Sequence, residues 1–171
     1  MTFQYELPKP PFPVRAFKDM DPDDARRHFE WFTSIADGRK QLLLTAITET
    51  GGGSVRELTP ASLIPVWAWV STHLQAVTET KLTSGSLALV LDTGFLLADV
   101  FFRQFPGKLR WVLWTRKTGP HNKAVIAGFK VPLVPSDVVK ACAWKVLKSG
   151  PQDDLLYQQY QVWAKDLESI Q

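Results

Sequence analysis

The chain has 171 residues, of which 45% are hydrophobic and 12% aromatic, and its formal net charge is +3. That length suits one compact domain with a substantial core and is too short for two. The single cysteine, Cys142, excludes an internal disulfide and any zinc site made of several cysteines, and the three histidines lack metal-ligand spacing, so we predict neither a metal nor a cofactor.

The N-terminal segment has the composition of an arm. Residues 7–13 contain four prolines, which favour an extended backbone and prevent a helix. We predict an extended arm over residues 1–20, anchored by Phe12 and Val14, and a single α+β domain over residues 21–171. Neither a basic start nor a continuous apolar run of the signal-peptide kind follows the first methionine, so we expect a cytoplasmic location.

Four amphipathic helices are predicted from their start signals and their apolar periodicity. A capping residue, a proline or both stand at each start, and a stripe of apolar residues at helical spacing follows. The apolar stripe of the first helix continues past Gly38, which fits either one helix or two stacked helices. The predicted helices begin near Asp21, Thr59, Pro135 and Gln152.

A fifth helix is predicted over residues 86–105, which are apolar nearly all round, as in a helix packed on most sides. The run is long enough to cross a bilayer, but it contains Asp92 and Asp99, and ionised groups are costly at mid-depth. We therefore predict a central buried helix and no membrane partner. The two aspartates are seven residues apart and share one stripe, and Arg103 follows Asp99 at the spacing of an ion pair.

Two carboxylates on one stripe allow functional and structural interpretations. Asp92 and Asp99 could act as a general acid and base, or supply half of a metal site. In the structural interpretation, Asp92 caps a neighbouring backbone end or faces solvent, while Asp99 pairs with Arg103. We favour the structural interpretation, because carboxylates with shifted pKa values also occur in ion-pair networks that have no catalytic role. An enzyme that uses Asp92 and Asp99 is kept as an alternative.

Two strands are predicted after the central helix. Residues 109–115 alternate between apolar and polar side chains, and residues 124–129 form a short apolar run. Between them, Gly119 and Pro120 suit a hairpin loop. The resulting fold class is α+β: a mostly helical single domain with a small antiparallel β-hairpin or sheet, at about residues 109–133, packed on the central apolar helix at about residues 86–105.

The segment of residues 103–130 gives the clearest sign of a partner, since it has seven basic side chains and no acidic one. Basic side chains among tryptophans suit an acidic protein surface, and they also suit single-stranded nucleic acid, where rings stack on bases. A protein partner is favoured, because no motif of a nucleic-acid-binding fold is present. The predicted partner-binding residues are Arg103, Lys108, Arg110, Trp111, Trp114, Arg116, Lys117 and Lys123.

No catalytic residue is predicted. Asp24 and His28 are four residues apart on the first helix and are able to pair, but no serine lies in a G-x-S-x-G motif, and Cys142 falls on the apolar face of a helix. The glycines at 51–53 lack the spacing of a phosphate-binding loop. Nothing in the motifs therefore points to acyl transfer or nucleotide chemistry.

Several short motifs follow one another along the chain in an order that resembles a known family. They are Pro11-Phe-Pro-Val-Arg-Ala-Phe17, Ala25 to Trp31-Phe32, Leu58-Thr-Pro-Ala-Ser-Leu63 leading to Trp67, Leu91-Asp-Thr-Gly94, Trp111 and Ala127-Gly-Phe129. Together they resemble a loosely defined family of small uncharacterised bacterial proteins, some of which sit with toxin and immunity genes. Where such proteins commonly have Gly-Glu after the Asp-x-Gly, this chain has Ala98-Asp99.

The resemblance implies a bacterial origin and a stoichiometric binding role, such as covering the active site of a cognate toxin. Our leading expectation is a non-enzymatic, immunity-type protein that binds an acidic protein surface through residues 103–130. A nucleic-acid-binding protein that uses the same segment is the first alternative, and an enzyme that uses Asp92 and Asp99 is the second.

Overall fold

The computed structural model describes residues 5–170 and has a mostly helical α+β fold. The helices are α1 (Pro22–Glu49), α2 (Leu63–Thr72), α3 (Ser84–Gln104), α4 (Pro135–Ser149) and α5 (Leu155–Glu168), with 3-10 turns at Phe17–Asp19 and Pro60–Ser62. The strands are β1 (Ala76–Thr78), β2 (Lys81–Leu82), β3 (Arg110–Leu113) and β4 (Ala124–Ala127). They form two antiparallel sheets of two strands each, which confirms the predicted fold class.

Helix α1 is a single helix of 28 residues. The Asp21 carboxylate accepts hydrogen bonds from the backbone N–H groups of Asp23 and Asp24, at 3.0 and 2.8 Å, and a proline occupies the first turn. These contacts satisfy N–H groups that have no partner inside the helix. The helix passes through Gly38 without a break, which decides between the one-helix and two-helix interpretations.

Helix α3 lies at the centre of the fold. Thirteen of its 21 residues are buried, and it packs chiefly against α4 and α1. Gly94 permits the close approach of α4, because a Cβ there would lie 2.9 Å from the backbone nitrogen of Ser136. Among the described residues, α3 is the one helix with the length and mean hydropathy (1.7) of a membrane span, and 72% of its most apolar stretch is buried inside the fold.

The predicted hairpin is present. Strand β3 pairs with β4 from Arg110 opposite Ala127 to Leu113 opposite Ala124, and β4 makes one further bridge, from Ile126 to Leu133. Trp111 belongs to β3, and its ring points to the helices, where it contacts aromatic side chains of α1 and α3. The small sheet therefore rests on the central helix, as predicted.

The second sheet, β1 with β2, has no counterpart among the predicted strands. Its strands are three and two residues long, and their register shifts between Ala76 and Thr78. Strands this short cannot show the alternation on which sequence reading depends. The hairpin was missed for that reason.

The arm is held mainly by side chains other than the predicted anchors. Tyr5 and Met20 are buried, whereas Val14 is 46% exposed. Phe12 makes an edge contact with the Trp31 ring, at 6.5 Å between centroids. The amide of Asn122 donates hydrogen bonds to the carbonyls of the residues at 17 and 20, at 2.9 and 3.2 Å. Residues 1–4 of the predicted arm lie outside the described residues.

Candidate functional site

The basic segment divides into paired and unpaired cations. Three of its seven basic side chains form ion pairs with carboxylates on helices, at 3.1 to 3.4 Å. These side chains are partly neutralised by the fold itself. The pairs are Arg103 with Asp99, Lys123 with Asp137, and Lys130 with Asp166.

The other four basic side chains are Lys108, Arg110, Arg116 and Lys117, and all four are exposed. Within residues 5–170, none of them forms an ion pair. Lys108 and Arg110 lie where the chain enters β3, and Arg116 and Lys117 lie in the loop beyond it. At about 3.3 Å per residue, the distance from Arg110 to Trp114 along the strand is about 13 Å.

The two tryptophans of the segment have different positions. Trp111 packs inward, with its ring centroid 5.7 Å from that of Phe32 and 6.0 Å from that of Phe102. Trp114 is half-buried, and its Nε1 donates a 2.8 Å hydrogen bond to the Thr118 carbonyl. The ring of Trp114 is therefore fixed at the surface of the loop.

Arg116 lies over the Trp114 ring, with its guanidinium carbon 5.2 Å from the ring centroid. Such a cation–π contact orients the guanidinium without neutralising it. We define the hairpin face as Lys108, Arg110, Trp114, Arg116 and Lys117. It is an unneutralised basic surface with one positioned aromatic ring.

The two aspartates of α3, Asp92 and Asp99, are much less exposed than the cations of the hairpin face. Asp92 is 0% exposed, and Arg39 of α1 holds it from two sides: Nε donates to Oδ1 at 2.8 Å and Nη2 lies 2.7 Å from Oδ2. The Tyr5 hydroxyl donates a further hydrogen bond to Oδ2. The interpretation of Asp92 as a backbone cap or solvent-facing group is therefore wrong, because three donors from two side chains surround it.

Burial raises the pKa of Asp92 to about 6, although the hydrogen bonds from Arg39 and Tyr5 act to lower it. Desolvation disfavours the charged carboxylate, and the ion pair offsets that cost only in part. Burial also raises the pKa of Tyr5, as does the neighbouring Asp92 charge. Arg39 additionally donates to the Glu6 carbonyl at 3.0 Å, so this ion pair also fixes the start of the described arm.

Asp99 lies in a second, less buried group of charges. It pairs with Arg103 at 3.1 Å, as predicted, and with Lys40 at 3.2 Å, while Lys40 also contacts Asp37 at 2.7 Å. Arg39 and Lys40 are consecutive on α1, and each binds one aspartate of α3. We call these contacts the α1–α3 seam.

The seam does not provide the arrangement that a two-carboxylate enzyme requires. Asp99 lines a cavity of about 250 Å³ beside α1, and Asp92 is not among the residues that line it. Because Asp92 is 0% exposed, the two carboxyl groups do not converge on one accessible cavity. The sequence indicated the shared stripe correctly but not the cations on α1 that face it.

The other candidate groups also lie in apolar surroundings. His28 does not pair with Asp24: its Nδ1 is buried without a hydrogen-bond partner, and its ring lies among Phe17, Trp31 and Phe32. Burial lowers the pKa of His28. Burial raises the pKa of the Cys142 thiol to about 11, which disfavours the reactive thiolate. Between residues 5 and 170, no three His, Cys, Asp or Glu side chains come together as metal ligands.

One large concave feature has no counterpart in the sequence reading. A cavity of about 490 Å³ lies between the arm, α1, α3 and the start of α4. Its walls are mainly apolar, and they include side chains of the arm itself. We call it the arm cavity. It could not be read from the sequence, because it forms only where the arm crosses the helices.

Comparisons of the chain with protein-family models, with curated protein sequences and with solved structures found no match. The resemblance to toxin-associated bacterial proteins therefore stays a prediction.

Proposed function

We propose that this protein is a non-enzymatic binding protein whose hairpin face holds an acidic surface of a partner protein. The observation that carries the proposal is that Lys108, Arg110, Arg116 and Lys117 are exposed without a carboxylate partner in the described chain. Elsewhere in the segment, the fold supplies carboxylates to the cations. Unneutralised charge of one sign speeds the encounter with a surface of opposite charge and selects its orientation.

The chemistry of Trp114 and Arg116 supports a protein partner. Tryptophan and arginine are the side chains that most often dominate the binding energy of protein interfaces. Both are held in place before binding, since Thr118 fixes the indole and the indole orients the guanidinium. Such preorganisation reduces the entropy lost on association.

Nucleic acid is supported less well by the same geometry. Binding of single strands depends on a series of exposed aromatic rings on which bases stack. The Trp111 ring packs inward against α1 and α3, and Arg116 lies over the ring of Trp114. The hairpin face thus offers charge without a stacking series, and we keep nucleic acid as an outcome of the test.

The family resemblance supports a more specific form of the proposal. In this form the partner is a bacterial toxin, the complex is stoichiometric, and the protein acts in the cytoplasm by covering the active site of the toxin.

The test begins with a tagged pull-down from the native host, with and without nuclease, to recover a partner. The purified partner is then titrated calorimetrically against the wild type and against the triple variant Arg110→Glu, Arg116→Glu, Lys117→Glu. A matched control reverses three exposed cations away from the hairpin, Arg56, Lys81 and Lys145. Both triple variants change the net charge equally.

We expect the hairpin variant to bind about a hundredfold more weakly, since three interfacial charge contacts are turned into repulsions. The control should lose only the small share that depends on overall charge. Equal losses in both variants would overturn the hairpin face as the binding site. Recovery that disappears with nuclease, combined with a steep loss of affinity with salt, would replace the protein partner by nucleic acid.

A further inference from the structure

We infer that the arm cavity is a binding site for a small amphipathic anion, with an apolar body and one carboxylate head, of the fatty-acid type. The site is distinct from the hairpin face and does not depend on the proposed protein partner. None of the five residues that define the hairpin face lines the arm cavity.

The size and walls of the cavity fit such a molecule. Its volume of about 490 Å³ lies within the range of about 300–1,000 Å³ that small-molecule sites usually have. Trp31 and Phe32 of α1 form one wall, and Leu87 and Leu91 of α3 form another. Apolar walls of this extent favour an apolar ligand body, because its transfer from water is favourable by about 25 cal/mol per Å².

The charge at the cavity indicates the sign of the head group. Four charged side chains line it, of which Lys123 and Asp137 pair with each other at 3.4 Å. The remaining two, Lys9 from the arm and Lys140 from α4, form no ion pair within the described residues. They therefore leave a net positive charge for an anionic head.

His28 adds a polar group to the cavity wall on α1, and its Nδ1 is buried without a hydrogen-bond partner. Burial lowers the pKa of His28 and so disfavours the charged imidazolium. The positive charge of the cavity therefore comes from its lysines.

The arm forms a strap over the cavity. Its beginning is fixed by the contacts of Tyr5 and Glu6 with Asp92 and Arg39, and its end is fixed by hydrogen bonds from Asn122. Between these two points, the backbone groups of residues 7–15 make no hydrogen bond with the rest of the described chain. The strap can therefore move outward to admit a ligand without breaking backbone hydrogen bonds.

The test uses three probes with the same ten-carbon chain, the two ions below their critical micelle concentrations and the alcohol below its solubility limit. They are decanoate, decyltrimethylammonium and 1-decanol, and binding is followed by calorimetry and by NMR shifts of residues around the cavity. We expect saturable binding of decanoate, with the cation and the alcohol at least about tenfold weaker. Comparable binding of the cation would overturn the assignment of an anion. No saturable binding of decanoate would overturn the site.

Two variants locate the ligand. Lys9→Glu with Lys140→Glu should weaken decanoate binding at least about tenfold, whereas Arg15→Glu with Lys145→Glu, on the same two elements but outside the cavity walls, should not. Equal affinities of the two double variants would overturn the role of the lysines. Leu87→Trp places a larger ring in the cavity wall and should weaken decanoate binding at least about tenfold. Undiminished binding by a folded Leu87→Trp protein would place the ligand elsewhere.

Discussion

The α1–α3 seam and the hairpin face contain the same kinds of charged side chain in opposite circumstances. In the seam, Arg39 is committed to a fully buried Asp92 and to the arm backbone. On the hairpin face, Arg110 and Arg116 have no carboxylate partner within the described chain. The difference separates cations that the fold uses internally from cations that it leaves exposed to solvent.

The comparison predicts its largest effect at Arg39. Arg39→Ala would leave the Asp92 carboxylate buried without its cation, and breaking a buried ion pair from one side costs about 3–5 kcal/mol. Urea denaturation should show a loss of this order. The double replacement Arg39→Met with Asp92→Leu should recover most of it, since an apolar pair of similar volume carries no buried charge. An Arg39→Ala protein of wild-type stability would remove the seam as a structural element.

The second prediction concerns pH. The pKa of Asp92 is about 6 in the folded protein and ordinarily 3.8, so the folded state binds this proton more tightly than the unfolded chain. The stability that this difference supplies is complete below pH 3.8 and is lost as the pH rises through about 6. It amounts to about 3 kcal/mol.

The matching experiment compares the free energy of unfolding of the wild type and of Asp92→Asn from about pH 3 to about pH 7. Relative to the variant, the wild type should lose about 3 kcal/mol over this interval, because asparagine does not titrate there. Parallel profiles for the two proteins would mean that the Asp92 carboxylate has an ordinary pKa.

A smaller loss of stability is expected when the Tyr5 side of the contact with Asp92 is removed. Tyr5→Phe removes the hydroxyl that donates to Asp92 but leaves both Arg39 contacts. Loss of one hydrogen bond to a charged group should cost about 1.5–3 kcal/mol. Limited proteolysis should also cleave residues 7–15 faster in the variant, because one attachment of the strap is gone. Unchanged stability and cleavage would show that Tyr5 does not anchor the arm.

The smallest effect on stability is predicted for the hairpin face. Arg110→Glu, Arg116→Glu and Lys117→Glu together should change the free energy of unfolding by no more than about 1 kcal/mol, since exposed substitutions without partners are usually near neutral. Thermal or urea denaturation measures this directly. A loss as large as that of Arg39→Ala would contradict the distinction between the two regions.

Local patterns in the sequence predicted much of this fold. The continuous apolar run gave α3, and alternation on both sides of a Gly-Pro loop gave the β3–β4 hairpin. The Asp99–Arg103 pair was predictable because its members are four residues apart on one helix. Each of these features depends on residues that are close in sequence.

Features that depend on distant residues were not predictable in the same way. Arg39 and Asp92 are 53 residues apart, and their contact requires the packing of α1 against α3. Tyr5 reaches Asp92 across 87 residues, which no periodicity within the arm reveals. The arm cavity likewise arises from five separate parts of the chain. Of the candidate partner residues, the sequence identified the charges but not which of them the fold neutralises.

The most direct test of the central claim is the calorimetric titration of the purified partner against the two triple-reversal variants. The account predicts that reversal of Arg110, Arg116 and Lys117 weakens binding about a hundredfold, while reversal of Arg56, Lys81 and Lys145 leaves it close to that of the wild type. Equal affinity of the two variants for the partner would contradict the claim that the unpaired cations of the hairpin face are the binding surface.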